Sequence, residues 1–297
     1  MIVTFGSINL DLLFHLPELP RPGQTLLAQS AQIEAGGKGA NQAFAAACDG
    51  ARVVMAGAVG QDALAGSALA GLRAAGVDLS RVAQLANQQT GCASIGVDAR
   101  GRNAIVVAPG ANRLARAAQV EDALLGAGTT LLLQMENDPQ EIAAMILRAR
   151  RRGARIVLNL APAVELAPEI LRNVDLLVLN ESEAEWLSDR LGTGASAEAV
   201  HQALGVSVVR TLGDKGVELA TGDGVQRLAA WPVEVLDSTG AGDCFTGVLA
   251  SALDRGTHLG QALLRANAAA AIACTRAGSQ RSAPQAAQTD RFLRMHS

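Results

Sequence analysis

Along the 297-residue chain, short apolar runs alternate with segments whose apolar positions recur at helical spacing. Runs of strand length occur at Ile2–Phe5, Arg52–Ala56, Thr130–Gln134, Arg155–Asn159, Leu176–Leu179 and Val206–Thr211. Helical spacing falls between them, at about Gly39–Cys48, Ala63–Ala75, Pro139–Arg151 and Glu181–Arg190. This alternation predicts βαβ units and a mostly parallel sheet with helices on both faces, an α/β fold. The last third turns helical, at Ala241–Asp254, Leu259–Cys274 and near Pro284–Met295.

Two stretches break the alternation. Gln24–Glu34 and Gly91–Val107 read as extended, the second with a turn at Asp98-Ala-Arg-Gly101. Pro17-Glu-Leu-Pro20 and Arg21-Pro22-Gly23 mark a rigid loop entering the first. The two are expected to pair as a small separate β sheet. Insertions of this kind on an α/β core often act as lids. The expectation is a single domain over residues 1–297, with lid segments at about 10–36 and 88–110 inserted in it.

Composition narrows the classes. Hydrophobic residues make up 49% of the chain, enough for a full core. The formal net charge is −3, without the basic excess of a nucleic-acid binder. The basic cluster Arg148–Arg152 fits a solvated helix face near its C-terminal end. No apolar run is long enough to span a bilayer, and Ile2-Val-Thr-Phe5 reads as a core strand rather than a signal peptide. Cys48, Cys92, Cys244 and Cys274 are far apart, which suggests neither a zinc site nor a disulfide framework and fits a reducing cytoplasm. Cys244 reads as a small buried thiol. Lys38 and Lys215 are the only lysines among 25 basic residues, and both lie in glycine-rich segments. A compact ammonium there suits a nearby anion.

Three sets of residues carry candidate chemistry. Asp237-Ser-Thr-Gly-Ala-Gly-Asp243 runs into a helical pattern. Its glycines let the backbone approach a ligand, and the helix adds the positive end of its dipole, which suits an oxyanion. Asp243 adds negative charge there. That makes sense if its carboxylate takes a proton from a nucleophilic hydroxyl while the loop stabilises a transferring phosphoryl group. Alone, the segment also reads as a helix start with an acidic first turn. Ala35-Gly-Gly-Lys-Gly-Ala-Asn-Gln42 likewise enters a helix, with Lys38 and Asn41 able to hydrogen-bond a polyol, or simply turns before it. It fits neither the P-loop nor the dinucleotide fingerprint. Finally, Asn9 and Asp11, Glu136, Asn159, Asn180 and Glu183 follow or end apolar strands. Ligands of open parallel sheets bind beyond the carboxyl ends of strands.

Together these segments resemble, in order and over nearly the whole chain, the PfkB family of carbohydrate kinases, and its ribokinase branch most. Gly6-Ser-Ile-Asn-Leu-Asp11, Ala35–Gln42, Gln134-Met-Glu136, Asn159-Leu-Ala-Pro-Ala163, Asn180–Glu185 and Asp237–Asp243 carry the resemblance. Leu160 stands where that branch usually has Pro, and Ser238 and Gly240 fit the broad family equally well. The resemblance implies a ribokinase-like three-layer fold with a small β-sheet lid. It implies transfer of the ATP γ-phosphate to a sugar hydroxyl, D-ribose giving ribose 5-phosphate first of all. Alternatives within the family are kinases for another sugar or a nucleoside, and outside catalysis a sugar sensor. By position, Asn9, Asp11, Gly37, Lys38, Gly39, Asn41 and Glu136 would hold the sugar. Asp243 would be the base, with Gly240, Ala241 and Gly242 forming the anion hole. Asn180, Thr211, Gly213, Asp214, Lys215, Gly216 and Asn267 would contact ATP. Glu183 would place Mg²⁺, mainly through water. Asp237, Thr239, Ala273, Arg276, Gly278 and Ser282 would form a monovalent-cation site for potassium. Pairing of lids from two subunits implies a homodimer.

Overall fold

The structure, a computed structural model, describes residues 1–100 and 102–296. Gly101, in the turn expected from the sequence, lies outside the described residues. The strands begin with β1 (Ile2–Phe5), β2 (Asn9–Leu16), β3 (Ser30–Gly36), β4 (Val53–Gly60), β5 (Asp78–Leu85), β6 (Gly91–Asp98) and β7 (Asn103–Ala108). They continue with β8 (Thr130–Leu133), β9 (Arg155–Asn159), β10 (Leu176–Leu179), β11 (Ser207–Thr211), β12 (Val217–Thr221) and β13 (Gly224–Leu228). The helices are α1 (Lys38–Cys48), α2 (Ala63–Ala74), α3 (Pro139–Arg152), α4 (Pro168–Leu171), α5 (Glu181–Leu191), α6 (Ala197–Leu204), α7 (Ala241–Asp254), α8 (Leu259–Cys274) and α9 (Ala286–His296).

Nine strands form one sheet in the order β13-β12-β11-β10-β9-β8-β1-β4-β5, parallel except for the β11–β12–β13 meander. Alternate residues of its strands enter two cores. Ile2, Leu132, Val157 and Val178 face α1, α2, α7 and α8, while Val3, Leu131, Leu133 and Leu158 face α3, α5 and α6. Burial on both faces explains why these strands read as continuous apolar runs. The chain leaves β1 towards β4 and β5, then returns to the other side of β1 through β8. The strand order therefore reverses beside β1. Crevices for ligands open at such a point, beyond the carboxyl ends of the strands.

The second sheet has the order β3-β2-β6-β7. The reading of Gln24–Glu34 as extended throughout is corrected. Residues 24–29 form no strand, and the pairing strands are β2 and β3, from His15↔Ser30 to Asn9↔Gly36. Further elements that were not read from the sequence are β5, the β12–β13 hairpin, α4 and α6. The Arg148–Arg152 cluster lies on α3, where Arg148 and Arg152 pair with Asp122 and Arg150 with Asp175.

Candidate active site

Asp243 is the third residue of α7 and is 8% exposed. Gly240 caps the helix at φ 73°, a left-handed conformation that glycine adopts without strain. The Ala241 N–H turns back to the Ser238 carbonyl at 3.2 Å. The next amides, of Gly242 and Asp243, lie in the first turn, where a helix supplies no acceptor. The Asp243 carboxylate accepts from Asn41 Nδ2 at Oδ2 (3.0 Å) and from Gln42 Nε2 at Oδ1 (2.9 Å). Both donors come from the first turns of α1, so the two glycine-rich helix starts meet at one carboxylate.

Lys38, Asn159, Asn180, Glu183, Thr211, Gly240, Gly242 and Asp243 line one cavity at the carboxyl ends of β9–β11. The Lys38 ammonium is held above its ordinary value, first by the Asp243 carboxylate and, against burial, by Glu136, Glu183 and Asp11. Asn180 and Glu183 form a reciprocal cap on α5, each side chain accepting from the other's amide at 2.8 Å. Burial pushes the Glu183 carboxyl up, opposed by the Asn180 amide and Lys38. Cys244, next to Asp243, is buried and its thiol is pushed up by that burial.

The residues expected to hold the sugar sit at and near the start of the second sheet. Asn9 Oδ1 accepts from Asn112 Nδ2 at 2.7 Å, and Asn112 also bonds both backbone groups of Ile8. The Asp11 carboxylate lies against Gly36, where a Cβ would stand 2.1 Å from Oδ2. Burial, then Glu136, Glu34 and Asp243, push the Asp11 carboxyl up to about 7, with Lys38 opposing. Glu136 accepts from Ser7 Oγ and from the Lys38 amide at 3.0 Å, and the Gly39 amide donates to Ser7 Oγ. Glu136 thus caps the start of α1 as well as facing Lys38. Gly37, at φ 88°, makes the turn into that helix.

The remaining positions fall into two groups. Gly213, Asp214 and Lys215 form a short 3-10 turn, which Gly216 ends; Lys215 pairs with Glu181 at 3.4 Å on the surface. Asn267, on α8, donates to the Ala229 carbonyl at 2.8 Å. None of these five lines the cavity that holds Asn180 and Thr211. Asp237 accepts from the Thr239 and Gly278 amides, both at 2.9 Å, and these bonds outweigh burial and lower its carboxyl. The Arg276 amide donates to the Ala273 carbonyl and its guanidinium to the Ser282 carbonyl. Asp237 thus ties its own loop, with Thr239, to the loop that carries Arg276, Gly278 and Ser282, while Ala273 sits in the last turn of α8. The sequence reading did not single out Gln42, Asn112 or Gln280 as site residues. Gln42 had one signal, its place beside Asn41 in the glycine-rich turn; Asn112 and Gln280 had none.

Known proteins match this chain over nearly its whole length. The sequence model for pfkB family carbohydrate kinases matches residues 1–286. The ribokinase of Haemophilus influenzae is 35% identical over 301 residues, covering 98% of each chain. A deoxyribokinase of Salmonella typhi is 30% identical over 305 residues, covering 99% of each. The solved structure of Arabidopsis thaliana ribokinase complexed with ribose and ATP superposes with a TM-score of 0.89 at 30% identity, over 98% of each chain. The chain belongs to the pfkB family of carbohydrate kinases.

Proposed function

We propose that this kinase transfers the γ-phosphoryl group of ATP to the 5-hydroxyl of D-ribose, with Asp243 as the base. The observation that carries the reading is the buried Asp243 carboxylate. It sits at the positive end of α7, is held by two amides, and opens onto a cavity shared with Lys38, Asn180 and Glu183. Asp243 takes the proton of the attacking hydroxyl, and the α7 amides beyond Gly240 receive the charge of the moving phosphoryl group. Asn9, Asp11, Lys38, Asn41 and Glu136, with the backbone of Gly37 and Gly39, hold the sugar. Asn180, Thr211, the Gly213–Gly216 turn and Asn267 hold the nucleotide.

The buried Glu183 carboxylate facing the same cavity suits Mg²⁺, which keeps several waters and uses few carboxylates beside substrate phosphates. Bound there through water, Mg²⁺ would neutralise phosphate charge. The carbonyls of Ala273 and Ser282, with Asp237, Thr239, Arg276 and Gly278, suit a potassium ion at the two tied loops and the end of α8. The second sheet acts as a lid and pairs with that of another copy. The site of action is the cytoplasm, where ATP is available; among the described residues no helix is long and apolar enough to cross a membrane.

Support for ribose comes from the relatives named ribokinase, at 35% and 30% identity. The deoxyribokinase relative favours a second reading, a 2-deoxy pentose. ATP consumption over pentoses, deoxypentoses, hexoses and nucleosides tests both, and no turnover with any of them would overturn the kinase reading. Asp243→Asn should lower kcat by about a hundredfold or more while sugar binding survives.

A further inference from the structure

Asp243 is the end point of two buried chains of side-chain amides. Asn41 and Gln42 both bond its carboxylate, and a carboxylate only accepts, so both must present their NH₂ groups to it. That choice fixes the next step. Gln42 Oε1, turned away from the base, accepts from Gln134 Nε2 at 2.7 Å. Asn41 Oδ1 accepts from Gln280 Nε2 at 3.2 Å. Each chain then ends on a carbonyl. Gln134 Oε1 and Gln280 Oε1 are buried and have no hydrogen-bond partner among the described residues. A Cβ on Gly6 would stand 2.1 Å from the first, and one on Gly71 would stand 2.4 Å from the second.

A buried carbonyl without a partner is costly, so this polarity needs a reason. Turning Gln134 over would place its oxygen against the oxygen of Gln42, and the conflict would pass along the chain to the base. The single ionised group imposes the direction on both chains. Gln42 is fully buried, and its second N–H bonds Asn159 Oδ1 at 3.0 Å, while Asn159 Nδ2 donates to the Val178 carbonyl. Its amide plane is therefore anchored at three points.

We propose that Gln42 is a positioning residue for phosphoryl transfer, and that Gln134 and Gln280 lock the two donors behind the base. This deepens the reading of Asp243 as the base and rests on it. The chains fix the plane of the carboxylate, so that an oxygen lone pair faces the sugar hydroxyl before the substrate arrives. Gln42 acts through Asp243 rather than by touching the sugar.

The test separates kcat from sugar binding. Gln42→Met keeps the chain length and removes the donors. Its kcat on ribose, per folded enzyme at 25 °C, should fall about tenfold or more, the scale of a misplaced reacting group. Its ribose Kd should stay within about twofold, measured by calorimetry. Gln134→Met removes one of the three anchors of Gln42, and should lose about threefold in kcat. A merely structural role would lower the melting temperature of both variants and leave kcat of the folded fraction alone. A folded Gln42→Met with kcat within twofold of the wild type overturns the proposal. If that variant does not fold, an unchanged kcat in Gln134→Met does so. A wild type that phosphorylates no sugar would instead sink the underlying reading of the base.

Discussion

β8 and β7 are short strands of one chain, and they differ in what covers them. Every residue of Thr130–Leu133 is buried, between α1 and α7 on one side and α3 on the other. Every residue of Asn103–Ala108 is exposed, including Ile105, Val106 and Val107. The main sheet is a floor whose strands cannot move without opening two cores. The second sheet is joined to it at one end and bare at the other. Asp243, the proposed base, belongs to the floor, through α7 and its donors on α1. Asn9 and Asp11 belong to β2 of the second sheet, close to its root. This division puts the proposed base on buried elements, and Asn9 and Asp11, the proposed sugar contacts, on the sheet whose far edge is bare.

If the division holds, equal truncations should have unequal effects. Leu132→Ala empties a fully buried site in the floor. It should cost about 3 kcal/mol of stability, within the usual 2–5 kcal/mol for such a cavity. Val106→Ala, on the bare edge strand, should stay within about 0.5 kcal/mol. Denaturant melts of the two variants make the comparison, and similar losses would mean that the second sheet is as tightly packed as the first.

A smaller effect sharpens the comparison where the sheets meet. Asp11 is pushed up to about 7 by burial and by Glu136, Glu34 and Asp243. Because the folded value is raised, its contribution to stability is fully present below the ordinary 3.8 and is lost as pH rises through 7. Sugar binding runs the other way. Hydroxyl donors prefer the ionised carboxylate, and at pH 6 only about a tenth of Asp11 would be ionised. Ribose Kd should therefore weaken about tenfold from pH 8 to pH 6, and Asp11→Asn should flatten that dependence. A flat wild-type profile would remove Asp11 from the sugar site.

The floor was the legible part of the sequence. Ile2–Phe5, Arg155–Asn159, Leu176–Leu179, Ala241–Asp254 and Leu259–Cys274 have the bounds that the apolar pattern predicts. Burial on both faces writes itself as an unbroken apolar run, and a long buried helix as a sustained period. β5 escaped because Asp78, Ser80, Arg81 and Gln84 interrupt it, as an edge strand permits. The β12–β13 hairpin turns through Gly222 and Asp223 between runs too short to stand out. In the site, each glycine-rich turn was visible because its spacing is local. The contacts that join them are not local: Gln42 meets Asp243 across 201 positions, and Gln280 meets Asn41 across 239. Only the fold brings such pairs together, so an amide such as Gln280 looks like any surface glutamine in the sequence.

The smallest effect on the single chain concerns the outer edge of β7. Ile105, Val106 and Val107 are 53%, 72% and 49% exposed on an unpaired edge strand, and Ile33 of β3 is 59% exposed. Bare apolar edges invite pairing, and a lysine is the usual device that blocks it. If the lids of two copies meet along this row, Val106→Lys should turn a dimer into a monomer in sedimentation at micromolar concentration. The stability of the isolated chain should change by no more than about 0.5 kcal/mol, since the side chain is already in water. The floor is untouched by this change, so Asp243 keeps its two amide donors and chemistry at saturating sugar should persist. Affinity should suffer instead, because Asn9 and Asp11 hang from a sheet that has lost its partner. A wild type that sediments as a monomer would show that the exposed row serves something other than a second copy. A dimeric Val106→Lys would place the interface elsewhere.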